Sequence, residues 1–365
     1  MAAADEQCDG NGADGGAGGA TSLAEDEAFE MLTWVSLDDL ACRDVCAHWR
    51  RLTYEAAFAP LHLRRAAAGG FVSGYLVQGL ARNRYSATFV SSTSGAEVSL
   101  DFLPCSPSVR IEAVSAHRGL ACCVDPTAFS LSSGAKPSSR CYYMCKPATK
   151  QWRALPSPRL RFPTAATAMI ARPAPIFDSR RRKRGGGWRR SPDVPLWPES
   201  LAGAGPAVRA HGAMHWLRWP DSLTAAEDIF AFDMRSETWR LVRIPPELEE
   251  KAGARKKLAA VEGRLCLVAV ADDGEAEVWA VAGYGGRAER WEKKMTVRLE
   301  NLAAMDGRAL VFRDLCSSDV AFLNTVYTVI WYDFLKGKKI AEVPVHHKCI
   351  QQVFKYESDL VPWDI

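Results

Sequence analysis

"YYMCKPATKQWRALPSP" (residues 142–158) and "IFAFDMRSETWRLVRIPPE" (residues 229–247) share one layout. A run of aromatic and aliphatic residues meets a short polar turn, and a second run leaves through a tryptophan. Trp152 follows Lys146, and Trp239 follows Asp233, by six residues. "VIWYDFLKGKKIAEVPV" (329–345) is a degenerate third copy, with Lys339 six residues after Asp333. "EVWAVAGYGGRAERWEKKMTV" (277–297) adds a hairpin phrase with Trp279 and Trp291. Period-2 alternation of large apolar residues, bounded by Gly, Pro, Asp and Ser, predicts β-hairpins. Tryptophans on this beat read as blade core rather than as a ligand box.

A second, shorter phrase keeps a similar beat. "SGYLV" (73–77), "RGLACCV" (118–124), "HGAMHWL" (211–217), "EGRLCLV" (262–268) and "DGRALVF" (306–312) each place a glycine before an apolar run. Gly74, Gly119, Gly212, Gly263 and Gly307 are separated by 45, 93, 51 and 44 residues. The value 93 is about twice the others, so "PTAATAMIA" (163–171) is expected to mark a unit that has lost its glycine. A β-rich repeat of this length predicts a β-propeller, in which small four-stranded sheets hide their faces against one another. The expected fold is mainly β, a propeller of six or seven blades over residues 71–362. "HHKCIQQVFKYESDLVP" (346–362) is expected to supply a closing strand. A pair of β-sandwiches is the competing all-β arrangement.

The composition is compatible with such a core: the 365 residues are 48% hydrophobic and 24% charged. No apolar run reaches the roughly eighteen residues that a membrane helix needs. Met1–Ser22, rich in Gly and Ala, has no basic start or apolar stretch and reads as a disordered tail. Eleven cysteines without a signal peptide imply reduced thiols and a cytoplasmic or nuclear location. Residues 172–206 carry Arg172, Arg180, Arg181, Arg182, Lys183, Arg184, Arg189 and Arg190 among six prolines and a triple glycine. They read as a basic disordered insert. "RRRKR" (180–184) would suit a nuclear address or a nucleic-acid contact, but no aromatic platform or RNA-binding signature accompanies it. A solvated basic loop is the simpler reading, and no nucleic-acid or membrane partner is expected.

The N-terminal region has a different period. Cys42, Val45, Cys46, Trp49 and Leu52 share one helix face, with Asp38 and Asp39 at the end where carboxylates favour a helix start. Phe29 and Leu32 give a shorter apolar face after the acidic Glu25–Glu27. So small a helical unit buries little surface by itself and must lean on the chain or on a partner.

"LAEDEAFEMLTWVSLDDLACRDVCAHWRRLT" (23–53) resembles an F-box, with "AAFAPLHLRRA" (56–66) as its usual continuation. Leu23, Met31, Leu32, Val35, Leu40, Cys42, Arg43, Val45, Cys46, Trp49 and Arg50 fall where the family's pattern has its apolar, Cys-Arg and Trp-Arg positions. Ala24 and Ser36 replace the two usual prolines, and Glu27 and Ala28 sit where leucines are common. The phrases "HRGLACC", "HGAMHWL", "AEVWAVAGY" and "VFKYESDLVP" are similar to the F-box-associated and kelch-like domains of plant F-box proteins. The expected organisation is a tail (1–22), an F-box-like helical domain (23–66) and the propeller (71–362).

The resemblance implies a substrate receptor of an SKP–cullin–F-box ubiquitin ligase. It would dock on an SKP-family adaptor, and through it a cullin-RING ligase, and position an unidentified target protein for ubiquitination and degradation. Leu23, Met31, Leu32, Val35 and Leu40 are the expected adaptor surface. Cys42, Val45, Cys46 and Trp49 are expected to hold the F-box core. The second reading is a propeller binding module uncoupled from a ligase, which the departures at Ala24, Glu27, Ala28 and Ser36 would fit. A lectin-like receptor is more remote.

No catalytic, metal or cofactor residue is expected. His211 and His215 are four apart, but they lie in a strand-like context with no third ligand. Cys122, Cys123, Cys141 and Cys145 form no CxxC pattern and read as structural thiols. "GYGGRAER" (283–290) lacks the strand-to-helix setting of a phosphate loop, and no nucleophile elbow is present.

Overall fold

The computed structural model describes residues 25–32, 72–82, 84–91, 98–125, 141–155, 167–169, 201, 205–219, 227–251, 253–299, 310–345 and 349–358. They form two short α-helices, α1 (Glu25–Leu32) and α2 (Pro246–Glu249), and nineteen strands in five sheets. Blade 1 pairs β19 (Ile350–Ser358) with β1 (Val72–Ala81), and β1 with β2 (Arg84–Val90). Blade 2 is β3 (Arg110–Ser115), β4 (Leu120–Val124), β5 (Tyr142–Lys146) and β6 (Gln151–Leu155). Blade 3 is β7 (Val208–Ala210), β8 (Ala213–Arg218), β9 (Asp228–Asp233) and β10 (Trp239–Arg243). Blade 4 is β11 (Arg255–Val261), β12 (Arg264–Val270), β13 (Glu275–Ala282) and β14 (Arg290–Arg298). Blade 5 is β15 (Val311–Leu315), β16 (Val320–Asn324), β17 (Thr328–Asp333) and β18 (Lys338–Pro344). Every pairing is antiparallel between neighbours, the meander expected of a propeller blade.

The blade number departs from the sequence expectation. Among the described residues there are five blades rather than six or seven. Chain length between turns says nothing about which strand pairs with which. The interval from Gly119 to Gly212 contains no strand after β6 and before β7 among its described residues, and Thr167–Met169 is irregular. Gly74 marks no turn, because it lies inside β1, where a Cβ would stand 2.3 Å from the Val90 carbonyl oxygen and 2.7 Å from the Phe89 ring. The final strand also adds no blade. As expected, it closes the ring, pairing Ser358 with Val72 and Phe354 with Leu76.

Among the described residues the four larger apolar clusters lie between blades, and two smaller ones sit on blade 2 and blade 3. Ile111, Cys123 and Cys145 of blade 2 pack with Leu76, Phe354 and Tyr356 of blade 1. Ile229 and Leu217 of blade 3 meet Leu265, Leu267 and Trp279 of blade 4. Val268 and Val278 of blade 4 meet Phe312, Leu323 and Tyr332 of blade 5. Blades 5 and 1 join through Phe322 and Trp331 against Tyr75 and Val77, with the Tyr75 and Phe322 rings stacked 4.0 Å apart. Between blades 2 and 3, Met169 packs on the blade 2 cluster and Ala168 on that of blade 3.

The repeated hairpins form as expected, but their tryptophans do not fill the core. Trp152 and Trp239 stand on the outermost strands, 40% and 36% exposed, and cover Tyr143 and Phe230 from outside. Position along the outer strand decides this: an outermost strand has a neighbour on only one side. Among the described residues the buried tryptophans are Trp216, Trp279 and Trp331, on second and third strands.

Truncating a side chain at a seam should therefore cost far more than truncating one at the rim. Phe322→Ala is expected to lose about 3–5 kcal/mol of stability, the usual range for a buried aromatic residue. Trp152→Ala is expected to lose much less. Urea denaturation of the two variants beside the parent checks the difference.

Candidate target-binding face and adaptor helix

Strand order defines two rims. The turns joining first to second and third to fourth strands lie on the upper rim. They include His211–Gly212, Glu262–Gly263, and the loops after β9, β13 and β17. The chain enters each innermost strand, β3, β7, β11, β15 or β19, at the lower rim. There too lie the β12–β13 turn, Trp219 after β8, and Val326–Tyr327 between β16 and β17.

The upper rim is held by side chains spent on their own turns. The Asp233 carboxylate accepts the Ser236 and Arg235 amides at 2.7 and 2.9 Å, and Asp333 accepts the Lys336 amide at 2.9 Å. Such Asx turns explain why the hairpin phrase has an acid at this position. The amide hydrogen bonds from Ser236 hold Asp233 below the usual carboxylate range. The histidine pair also belongs to this rim. His215 Nε2 lies 2.7 Å from the Tyr284 hydroxyl and Nδ1 lies 3.2 Å from the Val208 carbonyl. His211 stacks on the Tyr284 ring at 4.4 Å, and its Nε2 accepts the Leu265 amide at 3.2 Å. Burial pushes His215 down to about 4, so it is neutral at physiological pH. Arg240 covers the other part of this group, 4.4 Å from the Tyr284 ring centre and bidentate to Glu289 at 2.6 and 3.0 Å. This is a seam between blades 3 and 4, as the structural reading of the histidines predicts. Among the described residues no three His, Cys, Asp or Glu side chains converge as metal ligands.

The upper rim exposes Leu335 (78%) in the turn after β17, and the lower rim exposes a group of three. Trp219, Val326 and Tyr327 are 45%, 42% and 51% exposed there. Tryptophan and tyrosine in such positions supply large contact area at low entropic cost. The rim's framework is charged but paired. Arg218 grips Asp228 through two hydrogen bonds of 2.7 and 2.6 Å, and buried Lys256 meets Glu227 at 2.7 Å.

Toward the axis, Lys257 of β11 and Arg313 and Asp314 of β15 come together. The Arg313 Nε donates to the Asn324 amide oxygen at 2.5 Å, and a terminal nitrogen donates to the Ile350 carbonyl at 2.9 Å, tying blade 5 to blade 1. Burial lowers the Arg313 pKa and, with the Arg313 charge adding to it, brings Lys257 down to about 8. Burial pushes Asp314 up to about 6, opposed by the nearby Lys355 and Lys257 charges. Beside it the Tyr75 hydroxyl lies 3.3 Å from Cys316 Sγ, and burial pushes that thiol up to about 12, so it is no nucleophile. The sequence reading missed this group because its members lie on strands 182 or more residues from Tyr75 and show no local motif.

The residues expected to meet an adaptor are only partly among those described. In α1, Met31 is half exposed and Leu32 is buried, along with Ala28. Leu23, Val35, Leu40, Cys42, Val45, Cys46 and Trp49 lie outside the described residues, as do the tail and Arg180–Arg184 of the basic insert. No helix among the described residues is long and apolar enough to cross a membrane.

Five antiparallel sheets in succession, closed by β19 against β1, define a β-propeller protein. No family model matches the sequence. The chain is 31% identical over 153 residues to F-box protein At5g41720 of Arabidopsis thaliana, spanning 40% of this chain and 78% of that one. It is 23% identical over 287 residues to F-box protein At5g49610 of the same plant, covering 68% and 71% of the two chains. The chain belongs to the F-box proteins. Among solved structures, it is similar to the Myceliophteria thermophila Cps50 (Swd1) β-propeller domain, with 9% identity, coverage of 62% and 57%, and a TM-score of 0.26. At that score the fold assignment rests on the strand order above.

Asp314 sets a pH dependence. Its folded pKa of about 6 exceeds the ordinary 3.8, so the folded chain holds the proton more tightly than the unfolded one. The stability it contributes is present in full below the unfolded value and is lost as pH rises through about 6. The difference is on the order of 3 kcal/mol. Asp314→Asn should flatten the stability profile between about pH 4 and 6, measured by urea denaturation at each pH.

Proposed function

We propose that this F-box protein is the substrate receptor of an SKP–cullin–F-box ubiquitin ligase: the N-terminal helices dock on the SKP-family adaptor and the propeller holds the protein to be modified. Membership of the F-box proteins carries this reading. It is supported by the order of parts, a helical segment followed by a ring closed on itself. The role is positional. A bound target presents its lysines at high effective concentration to the charged ubiquitin carrier, and the receptor needs no catalytic residue.

Topology favours the lower rim for the target. The chain arrives from the helical segment at Val72, which pairs with Ser358 at the upper end of β1. The exposed Trp219, Val326 and Tyr327 lie on the opposite rim. A receptor that must bridge two proteins benefits from attachment at one end and recognition at the other.

For the adaptor, Met31 is the cleanest test, because its side chain is half exposed and its replacement leaves the helix packing intact. Met31→Glu should reduce capture of a purified SKP adaptor at least about tenfold by putting a charge into an apolar contact. Leu32→Ala should act through the loss of a buried side chain, lowering stability as well as capture. Equal capture by Met31→Glu and parent would remove Met31 from the interface. A parent chain that captures no adaptor would leave the uncoupled propeller module as the function.

A further inference from the structure

Lys257 is the least expected charge in the ring. It sits on the innermost strand of blade 4, enclosed by protein yet still reached by solvent. Among the described residues it makes no hydrogen bond and no ion pair. The nearest charges reinforce the anomaly. Arg313, from the innermost strand of blade 5, is a second cation acting on it, and Asp314 is the one carboxylate that does. The ammonium also reaches toward blade 3: a Cβ on Gly205, ahead of β7, would stand 3.5 Å from Lys257 Nζ.

The neighbouring charges around the axis are already matched. Arg110 pairs with Glu112 at 3.3 Å, and Lys355 with Glu357 at 3.5 Å. Two cations against one carboxylate leave a net positive charge where three innermost strands approach the axis at the lower rim. An enclosed ammonium without an acceptor is costly, and a protein keeps such a group when something supplies the acceptor.

Resting on the receptor reading above, we propose that Lys257 and Arg313 form an oxyanion site at the lower mouth of the axis, which takes a carboxylate on an acidic segment of the recruited protein. Arg313 is fixed by Asn324 and Ile350, so it offers a preset charge, while the longer and unpaired Lys257 supplies the hydrogen bonds. Trp219, Val326 and Tyr327 on the same rim would flank the acidic segment with apolar contact. The lowered Lys257 pKa agrees with this, since an arriving anion restores the charged form.

The test is calorimetric titration of the full chain at low ionic strength with three probes: a hexaglutamate peptide, its hexaglutamine analogue and inorganic phosphate. The variants are Lys257→Met and Lys294→Met, the latter removing an exposed lysine paired with Glu292. Lys257→Met removes an enclosed charge at nearly constant volume, so the fold should hold, and a melting curve verifies it. The expected result is hexaglutamate binding that Lys257→Met weakens at least about tenfold and Lys294→Met leaves nearly unchanged, with no hexaglutamine binding. Binding of phosphate alone, with the same dependence on Lys257, would keep the oxyanion site and make phosphorylated side chains its source. Equal binding by Lys257→Met and parent, equal loss in both variants, or no binding of either anion would overturn the proposal. Adaptor capture by the same preparations reports separately on the receptor reading: anion binding without capture leaves the site standing and removes the ligase.

Discussion

The ring depends on one pairing. β19, the last described strand, lies against β1, the first, along nearly its whole length, from Val72↔Ser358 to Gly79↔Ile350. Each of the other blades is a local meander that could form in order along the chain. Blade 1 alone joins residues nearly three hundred positions apart, so its closure carries the largest loop-closure entropy. The closure then repays that cost at two seams. Phe354 and Tyr356 pack toward blade 2, and Ile350 and Val353 toward blade 5. Gly119 is needed for the same reason: its left-handed φ of 58° tightens the β3–β4 turn, and a Cβ there would meet the Ser358 hydroxyl at 2.2 Å.

A fold whose larger cores lie between blades transmits constraint sideways. Removing one seam exposes the faces of two sheets, so stability is shared around the ring rather than stored in one centre. Blades 3 and 4 illustrate the polar form of this sharing. His215, Tyr284, Arg240 and Glu289 come from both blades, and each satisfies another. Networks of this kind rigidify a scaffold when every member is paired. The upper rim is organised in this way, down to the Asp233 and Asp333 turns.

Against that background the lower mouth stands apart. Its framework holds the ion pairs Arg218–Asp228 and Lys256–Glu227, while Lys257 has none among the described residues. Arg313 is both a structural clamp between blades and the second charge of the cluster, so it couples the shape of the mouth to ring closure. Rigid walls around a small set of unmatched groups suit a protein that must hold another one still, since little ordering remains to be done on binding.

Local chemistry made much of the fold legible. The polar turn between two apolar runs specifies a hairpin by itself, and the hairpins at 142–155, 229–243, 275–298 and 328–344 form in the structure. The closing strand was also readable, because alternation in "QQVFKYES" needs no partner to be recognised. The apolar face with its Cys-Arg and Trp-Arg phrase identified the F-box proteins, a membership that sequence similarity established independently. Three features were decided only by tertiary structure. Blade number depends on which distant strands pair, and spacing along the chain carries no such information. The burial of a tryptophan depends on whether its strand has a neighbour on each side, so Trp279 is covered and Trp152 is not. The meeting of Lys257, Arg313 and Asp314 depends on the axis of the ring, a place that exists only once β11, β15 and β19 have been brought around it.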